Sequence, residues 1–341
     1  MANDKIKNME EFAALSGISR PTVSKYFNDP ESVRPKTRAR IEEALQEHDY
    51  RPNMYAVNQN RKLTKNIGIV VPSLVDPYFA EIARNLERRC IDAGYRPTLF
   101  SAHGETHHEV DVLMTLRSIK PSGVLLAPLG RATDRAVLEK FCDDVPTLIF
   151  DSSVEQFGLA FVGSDNNQFT THITDYLCRT GEPPCFYEMK TPANPNAHRR
   201  RQAYIEAMES FGLTPHVISI DGEGWEFEEI SRLGGHKALE EGAFPTNTVL
   251  CSNDRLAIGL LTACYERGVK VGRQPDAVIR VAGQDGHPYS RFTCPPLTTI
   301  SHDYDAVSKT AANALFDAIE GQVEPWKSTR IEGKLILRDS A

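Results

Sequence analysis

Residues 16–28 read Ser16-Gly17-Ile18-Ser19-Arg20-Pro21-Thr22-Val23-Ser24-Lys25-Tyr26-Phe27-Asn28. Gly17 supplies the tight bend between two helices, Ser19 can cap the second, and Pro21 fits its first turn, where a missing N–H costs nothing. Working upstream, Asn8 followed by Glu11 is a capping signature for a first short helix with Met9, Phe12 and Ala13 on one face. That face can pack on Ile18, Val23 and Phe27. Downstream, Val33-Arg34-Pro35-Lys36-Thr37 opens a third helix in which Ile41, Ala44 and Leu45 recur at helical spacing, and Pro52 stops continuation. Three short helices on one small core leave the outward side of the second free to enter a DNA groove. The duller reading is a small helical cap.

At 341 residues the chain is too long for one ordinary core and suits a small domain plus a larger, divisible one. Its formal charge of −7 would argue against nucleic acid if spread evenly, but residues 1–65 hold 12 Lys/Arg and 9 Asp/Glu (+3), leaving 27 against 37 (−10) beyond them. A basic head on an acidic body is the asymmetry expected when one end meets phosphate. No stretch is long and apolar enough to span a bilayer, and Asp4, Lys5 and Lys7 before a broken apolar pattern are not a secretory signal. The expectation is a cytoplasmic protein with no membrane partner. Seven cysteines without paired spacing fit reduced thiols, and Cys90, Cys142, Cys178, Cys251 and Cys264 sit among apolar neighbours as core filler.

From Asn66 buried strands alternate with amphipathic helices. Ile67–Pro72 is an apolar run, Pro77–Ala93 a helix ended by Gly94, Pro97–Phe100 a strand, His108–Ile119 a helix and Gly123–Ala127 a strand. A helix near Thr133–Phe141 and strands at Thr147–Phe150 and Ala160–Val162 follow. After Asn166 the rhythm resumes, with helices near Phe169–Arg179, Ala197–Phe211, Phe227–Glu241 and Arg255–Arg267, and strands at Val217–Ile220, Val249–Cys251 and Val278–Ala282. Such alternation predicts parallel sheets covered on both faces, in two lobes with a cleft between them. The fold class is a small all-α helix-turn-helix head plus an α/β core of two doubly wound parallel-sheet lobes.

Ligands of open parallel sheets bind beyond the carboxyl ends of the strands. Asp76, Tyr78 and Phe79 fall there after the first strand, Asn194 and Asn196 precede the helix holding Arg200, and Trp225 comes after Ile220. Asn253-Asp254 follows Val249–Cys251, and Asp285 follows Val278–Ala282. Carboxylates, amides and a guanidinium give directional hydrogen bonds to hydroxyls, and aromatic faces cover the apolar side of a sugar ring. Each has a blander account: Asp254 as a helix cap, Phe79 as core, Asp285 as the cap of a turn at Gly286, Arg200 in a surface ion pair. Arg199-Arg200-Arg201 suggests an anionic effector, although successive helix residues diverge and at most one or two share a cleft.

The segments Ala13–Asn28 (AALSGISRPTVSKYFN), Val33–Leu45 (VRPKTRARIEEAL) and Tyr50-Arg51-Pro52-Asn53 resemble the lactose-repressor-like (LacI/GalR) family, and the likeness extends along nearly the whole chain. It implies a helix-turn-helix domain at 1–50, a hinge helix and linker at 51–66, and a periplasmic-binding-protein-like core at 67–341. Lobe 1 would span about 67–165 and 297–323, and lobe 2 about 166–296 and 324–341. In the family the chain crosses between lobes three times, and Lys334–Ser340 matches its closing strand. Nothing resembling a further oligomerising helix follows, so a homodimer on palindromic operator DNA is expected. Ser19, Arg20, Pro21, Thr22, Ser24, Lys25 and Asn28 would face the major groove, Arg20 reading a guanine edge while Lys25, Thr22 and Asn28 could equally hold phosphates. Tyr55, Ala56 and Gln59 would sit at the operator centre, where the family pushes a leucine between base pairs. Val57 replaces the usual arginine and Gln59 the wedge leucine; either Met54 or Val57 performs the unstacking, or the operator is bent less.

The resemblance also places Tyr78 and Phe79 at the aromatic first-loop positions, and Arg200 at the effector-clamping arginine, with Ala203 where glycine is usual. It matches Asn253 to the Asn-Asp motif, Asp285 to the Gly-Tyr-Asp-Asp motif (here Gln284-Asp285-Gly286), and Trp225 and His302 to further pocket positions. The effector implied is a sugar, sugar acid or sugar phosphate, and the function a repressor of a carbohydrate catabolic or transport operon. The alternative is a cytoplasmic sugar-binding or sugar-modifying enzyme with a Rossmann-like core. Against it, Val70-Val71-Pro72-Ser73-Leu74 stands where a dinucleotide fold would place its glycine-rich loop, and no serine elbow or spaced acid/base pair occurs. No catalytic residue or cofactor is expected, and the loosely spaced His103, His107 and His108 read as a solvated loop, not a metal site.

Overall fold

Asn8 Oδ1 accepts hydrogen bonds from the N–H groups of Glu10 and Glu11 at 3.0 and 2.9 Å, and its amide donates to Glu11 Oε1 at 3.1 Å. This reciprocal cap starts α1 (Met9–Ser16), which Gly17 ends in the left-handed conformation at φ 61°. Ser19 Oγ accepts from the Thr22 N–H at 3.4 Å ahead of α2 (Arg20–Asn28), and α3 (Pro35–His48) begins on its proline. Phe12, Ala13, Ile18, Val23, Val33, Ile41, Ala44 and Tyr50 form the core, with Phe27 packed against it and Tyr50 stacked on Phe12 at 4.7 Å between ring centres.

In the computed structural model the described residues are 6, 8–28, 30–48, 50, 64–152, 154, 156–322 and 325–341. The chain divides into two compact units between Thr64 and Lys65. The hinge expectation, with Met54, Tyr55, Ala56, Val57 and Gln59, lies outside the described residues. Among the described residues no helix is long and apolar enough to cross a membrane.

The larger unit holds two six-stranded sheets. The first contains β1 (Asn66–Val71), β2 (Arg96–Ser101), β3 (Gly123–Leu126), β4 (Thr147–Phe150), β5 (Phe161–Ser164) and β11 (Ser328–Ile331), in the order β11-β5-β4-β3-β1-β2 and parallel throughout. The second contains β6 (Cys185–Met189), β7 (Val217–Ile220), β8 (Thr248–Cys251), β9 (Arg280–Asp285), β10 (Thr298–Ser301) and β12 (Lys334–Ile336), in the order β12-β10-β9-β8-β6-β7, with β12 antiparallel. Helices α4 (Pro77–Asp92), α5 (Thr106–Ile119), α6 (Arg135–Asp144) and α11 (Tyr304–Ile319) cover the first sheet. The second is covered by α7 (Asn166–Thr180), α8 (Ala197–Ser210), α9 (Phe227–Glu240) and α10 (Asp254–Glu266). The logic is local: α4 is capped by Asp76, starts on Pro77, and buries Phe79, Ile82, Ala83, Leu86 and Cys90 along one stripe.

Two expectations are corrected. The stretch 297–323 does not lie wholly in lobe 1, because β10 pairs with β9 and Leu297 and Ile300 enter the second lobe's core; the chain crosses after β10, so that only α11 joins the first lobe. Likewise 324–341 is not all lobe 2, since β11 pairs with β5 on the edge of the first sheet. Strands β6, β10 and β11 are additions to the predicted set. The cysteines are free thiols, with Cys90, Cys185, Cys251 and Cys264 buried, Cys142 and Cys178 half-buried and Cys294 exposed.

Candidate functional site

In the head, Val23 is buried while Ser19, Arg20, Pro21 and Lys25 are exposed and Thr22 and Ser24 half-exposed. The period of α2 separates these faces: the stripe that packs on Phe12 and Ile41 is apolar, and the opposite side carries hydroxyls and cations. Asn28 ends the helix.

In the larger unit the carboxyl ends of both sheets converge on a small cavity, about 30 Å³, whose walls include Asp76, Tyr78, Asp151, Asn196, Arg200 and Asp285. Phe79, Asn194, Pro195, Phe227, Asn253 and Arg255 complete it. Arg200 is buried and fully engaged: it pairs with Asp285 at 2.7 Å and donates to Asn166 Oδ1 at 2.9 Å and to the Ser252 carbonyl at 2.8 Å. Burial opposes ionisation of Asp285, yet the Arg200 guanidinium and His302 outweigh it and hold the carboxyl below its ordinary range. Burial keeps the His302 imidazole below its usual pKa, so its neutral form, donating from Nε2 to Asp285 (3.2 Å) and accepting at Nδ1 from Ser164 Oγ (2.6 Å), satisfies the ring.

Besides the hydrogen bonds of Ser164 with His302 and of the Tyr304 hydroxyl to the Asp285 carbonyl (3.1 Å), two contacts cross from lobe to lobe beside the cavity. Arg255, on α10, reaches Asp76 at 3.1 Å while gripping Glu228 through two nitrogens at 2.7 Å each. Asn196, at the start of α8, donates to both the Oδ1 and the carbonyl of Asp151 at 3.2 Å, and so leaves α8 without a side-chain cap. Asp151 Oδ1 also accepts from the Tyr78 hydroxyl at 2.7 Å. Burial pushes the Asp151 carboxyl up to about 6, against the hydrogen bond from Tyr78 and the Arg200 charge. A third bridge is apolar: Trp225, between β7 and α9, lies 6.1 Å from Phe79 ring to ring and packs against both lobes' cores. Gly104, at φ 75° in the first lobe, makes room for it, since a Cβ there would collide with the Trp225 indole nitrogen.

Of the ten cleft residues expected from the sequence, Asp76, Tyr78, Phe79, Asn194, Asn196, Arg200, Asn253 and Asp285 line the cavity. Trp225 and His302 stand one layer behind, against Phe79 and Asp285. Phe79 is also core, at 3% exposure. Asn253 caps α10, accepting from the Leu256 N–H at 2.8 Å, so the capping role considered for Asp254 belongs to its neighbour. Asp254 is buried beneath the cavity, where it accepts from Thr299 Oγ1 and the His287 N–H; burial and then repulsion from Asp285 raise it to about 7. Asp151, Arg255 and Phe227 were not anticipated. Asp151 directly follows β4, and the rule that ligands meet strand ends would have found it. Of the arginine triplet only Arg200 lines the cavity, while Arg201 pairs with Glu188 at 3.0 Å. Glu105, His107 and His108 bring ligand-type atoms within 4.8 Å of one another at the largely exposed start of α5, so that His107 and His108 lie in a helix's first turn and not in the expected loop, and no second feature there points to a metal.

Residues 8–53 match the family described as bacterial regulatory proteins, lacI family, and residues 182–341 match the periplasmic binding protein-like domain. The HTH-type transcriptional repressor CytR of Escherichia coli (strain K12) is 26% identical over 336 residues, covering 97% of this chain and 95% of CytR. The HTH-type transcriptional repressor PurR of Pasteurella multocida is 27% identical over 334 residues, covering 97% of this chain and 98% of PurR. Among solved structures, the lac repressor dimer bound to operator and the anti-inducer ONPF superposes with a TM-score of 0.85 at 24% identity, over 98% of this chain and 99% of that one, a likeness of fold. The relatives are transcription repressors, not enzymes. Residues 8–53 thus carry a lacI-family helix-turn-helix head, the larger unit folds as a two-lobed periplasmic-binding-protein-like core, and along 97% of its length the chain is similar to HTH-type transcriptional repressors.

Proposed function

We propose that this regulator is a homodimeric repressor of a carbohydrate uptake or catabolic operon, released from or recruited to a palindromic operator by a small polyhydroxyl effector held between the lobes. The observation that carries the reading is the cavity itself: acidic, amide and guanidinium groups from both lobes meet at strand ends, where aromatic Tyr78, Phe79 and Phe227 supply apolar faces. In this reading Asp76, Asn194, Asn196, Arg200, Asn253 and Asp285 hydrogen-bond the effector, and Trp225 and His302 fix the groups that do. In the head, Ser19, Arg20, Pro21, Thr22, Ser24, Lys25 and Asn28 meet the major groove, and Tyr55, Ala56 and Gln59 the operator centre. Because Asp76 to Arg255 and Asp151 to Asn196 tie one lobe to the other, a ligand that joins those contacts favours the closed core. The paired hinge segments at 51–66 would then carry that preference to the heads.

The test has two parts on the full-length protein. Selection from random duplexes should yield a palindromic site, and a thermal-shift screen of sugars, sugar acids and sugar phosphates should yield a stabilising ligand that changes affinity for that site. A selected ligand without effect on DNA binding would refute the regulatory reading.

A further inference from the structure

The charges that line the cleft cavity do not balance. Asp76, Asp151 and Asp285 share its walls with Arg200 and Arg255, three carboxylates against two guanidiniums. Each nitrogen of both guanidiniums already donates within the protein: those of Arg255 to Asp76 and Glu228, and those of Arg200 to Asp285, Asn166 and the Ser252 carbonyl. Neither keeps a free fork for the oxygens of an anion. Asp151 is the carboxylate left over. It accepts from neutral donors, the Tyr78 hydroxyl at 2.7 Å and the Asn196 amide at 3.2 Å, and among the described residues no cation pairs with it.

A second observation is independent of charge. Asn196 lines the cavity at 5% exposure, and its amide nitrogen donates to the Asp151 carbonyl, which can only accept, so the orientation of the amide is settled. Its other atom, Oδ1, is buried with no hydrogen-bond partner. Asn194, also of the lining, carries an unpartnered buried Oδ1 as well. Buried acceptors call for donors, and a buried carboxylate calls for a cation. A protonated amine supplies both, with three N–H groups and one positive charge. The cavity, about 30 Å³, admits a group the size of a water molecule, which an ammonium is and a carboxylate or phosphate is not.

We propose that Asp151, Asn194 and Asn196 form a cation subsite of the cleft, and that the effector is an amino sugar whose protonated amine they hold. The proposal rests on reading the cleft as an effector site. It sharpens that reading, because the polyhydroxyl ligand now carries a positive charge and not the negative one suggested by Arg199-Arg200-Arg201. Asp151 follows β4 in the first lobe, whereas Asn194 and Asn196 precede α8 in the second, so an amine bonded to all three joins the lobes. The sugar ring needs more room than the cavity offers, so the lobes part to admit it and the amine draws them together again.

The probes are glucosamine, galactosamine and mannosamine, each compared with its parent hexose, with the N-acetyl derivative that lacks the charge, and with the matching hexuronate. Binding to the full chain is read by thermal shift and calorimetry at about pH 7 and matched ionic strength. At least one amine should bind at least tenfold tighter than both its parent and its N-acetyl derivative. In Asp151→Asn, which keeps an acceptor for Tyr78 and Asn196, the ratio of amine to parent affinity should fall to within about threefold of unity. A merely structural effect of the substitution would weaken both ligands and leave that ratio in place. If no amine binds tighter than its parent, or if the advantage survives in Asp151→Asn, the subsite is overturned. A parent hexose or hexuronate that binds as tightly as the amine and shifts operator affinity overturns the subsite and leaves the cleft reading standing. An amine that binds through Asp151 yet leaves operator affinity unchanged overturns the effector assignment and the cleft reading together.

Discussion

Asp151 and Asp285, from opposite lobes, line the cavity with backbone φ of 62° and 151°, a region side chains with a Cβ avoid at a cost of order 1 kcal/mol each. Both conformations aim a carboxylate inward, yet the two are ionised on different terms. Asp285 is held charged by Arg200 and His302, while Asp151 has amide and phenol donors only and is raised to about 6. A carboxyl raised on folding stabilises fully below its ordinary range, and that stability is lost as pH rises through about 6. Asp151→Asn keeps an acceptor for Tyr78 and Asn196, so its melting temperature should exceed the wild type's at pH 8. The corresponding gain is at most about 3 kcal/mol, should fall to about a third of that by pH 4.5 and should vanish below about pH 3; a gap independent of pH in thermal denaturation would contradict this. At Asp285, alanine would strand a buried guanidinium at about 3–5 kcal/mol, so Asp285→Asn is the informative change. It should preserve operator binding and weaken the effector response at least tenfold in a gel-shift titration, and an unaltered response would remove Asp285 from the site.

Helix α2 exposes Arg20 and Lys25 on one side and buries Val23 on the other. Arg20→Ala should relax preference at one base pair of each half-site by about 1–3 kcal/mol. Uniform weakening over all sequences would make Arg20 a phosphate contact instead. The Gly104 turn and Trp225 form a second functional element, and Gly212 offers a control because it has similar φ (70° against 75°) with open space beyond. Gly212→Ala should lose about 1 kcal/mol of stability; Gly104→Ala should lose that and about 1–3 kcal/mol more from the collision with Trp225, and only it should also weaken effector binding. Elements such as α1 to α4 are legible in the sequence because caps, prolines and apolar spacing agree there. Strand β6 is not, since Glu188 interrupts its apolar run, and only the fold reveals that Arg201 and Ser219 satisfy that buried carboxylate. Strand β11 has a single apolar residue, Ile331, and an edge position that demands little burial. The same limit applies to the cleft: strand-end loops were visible as candidates, whereas the layering that sets His302 behind Asp285 and Asn253 to capping depends on which hydrogen bonds the folded backbone leaves unmade.

At the scale of the whole molecule, the account makes the cleft and the heads two sites joined by one equilibrium. A ligand shifts that equilibrium only by its preference for one core arrangement over the other, and linkage then runs both ways with the same factor. The direct measurement takes the operator obtained by selection and the ligand obtained by stabilisation. It determines operator affinity with and without ligand by fluorescence anisotropy, and ligand affinity with and without operator by calorimetry, at fixed salt. The account predicts a change of at least fivefold in operator affinity, matched by the same factor in ligand affinity and abolished by Asp285→Asn. A ligand that occupies the cleft while operator affinity stays constant would contradict it.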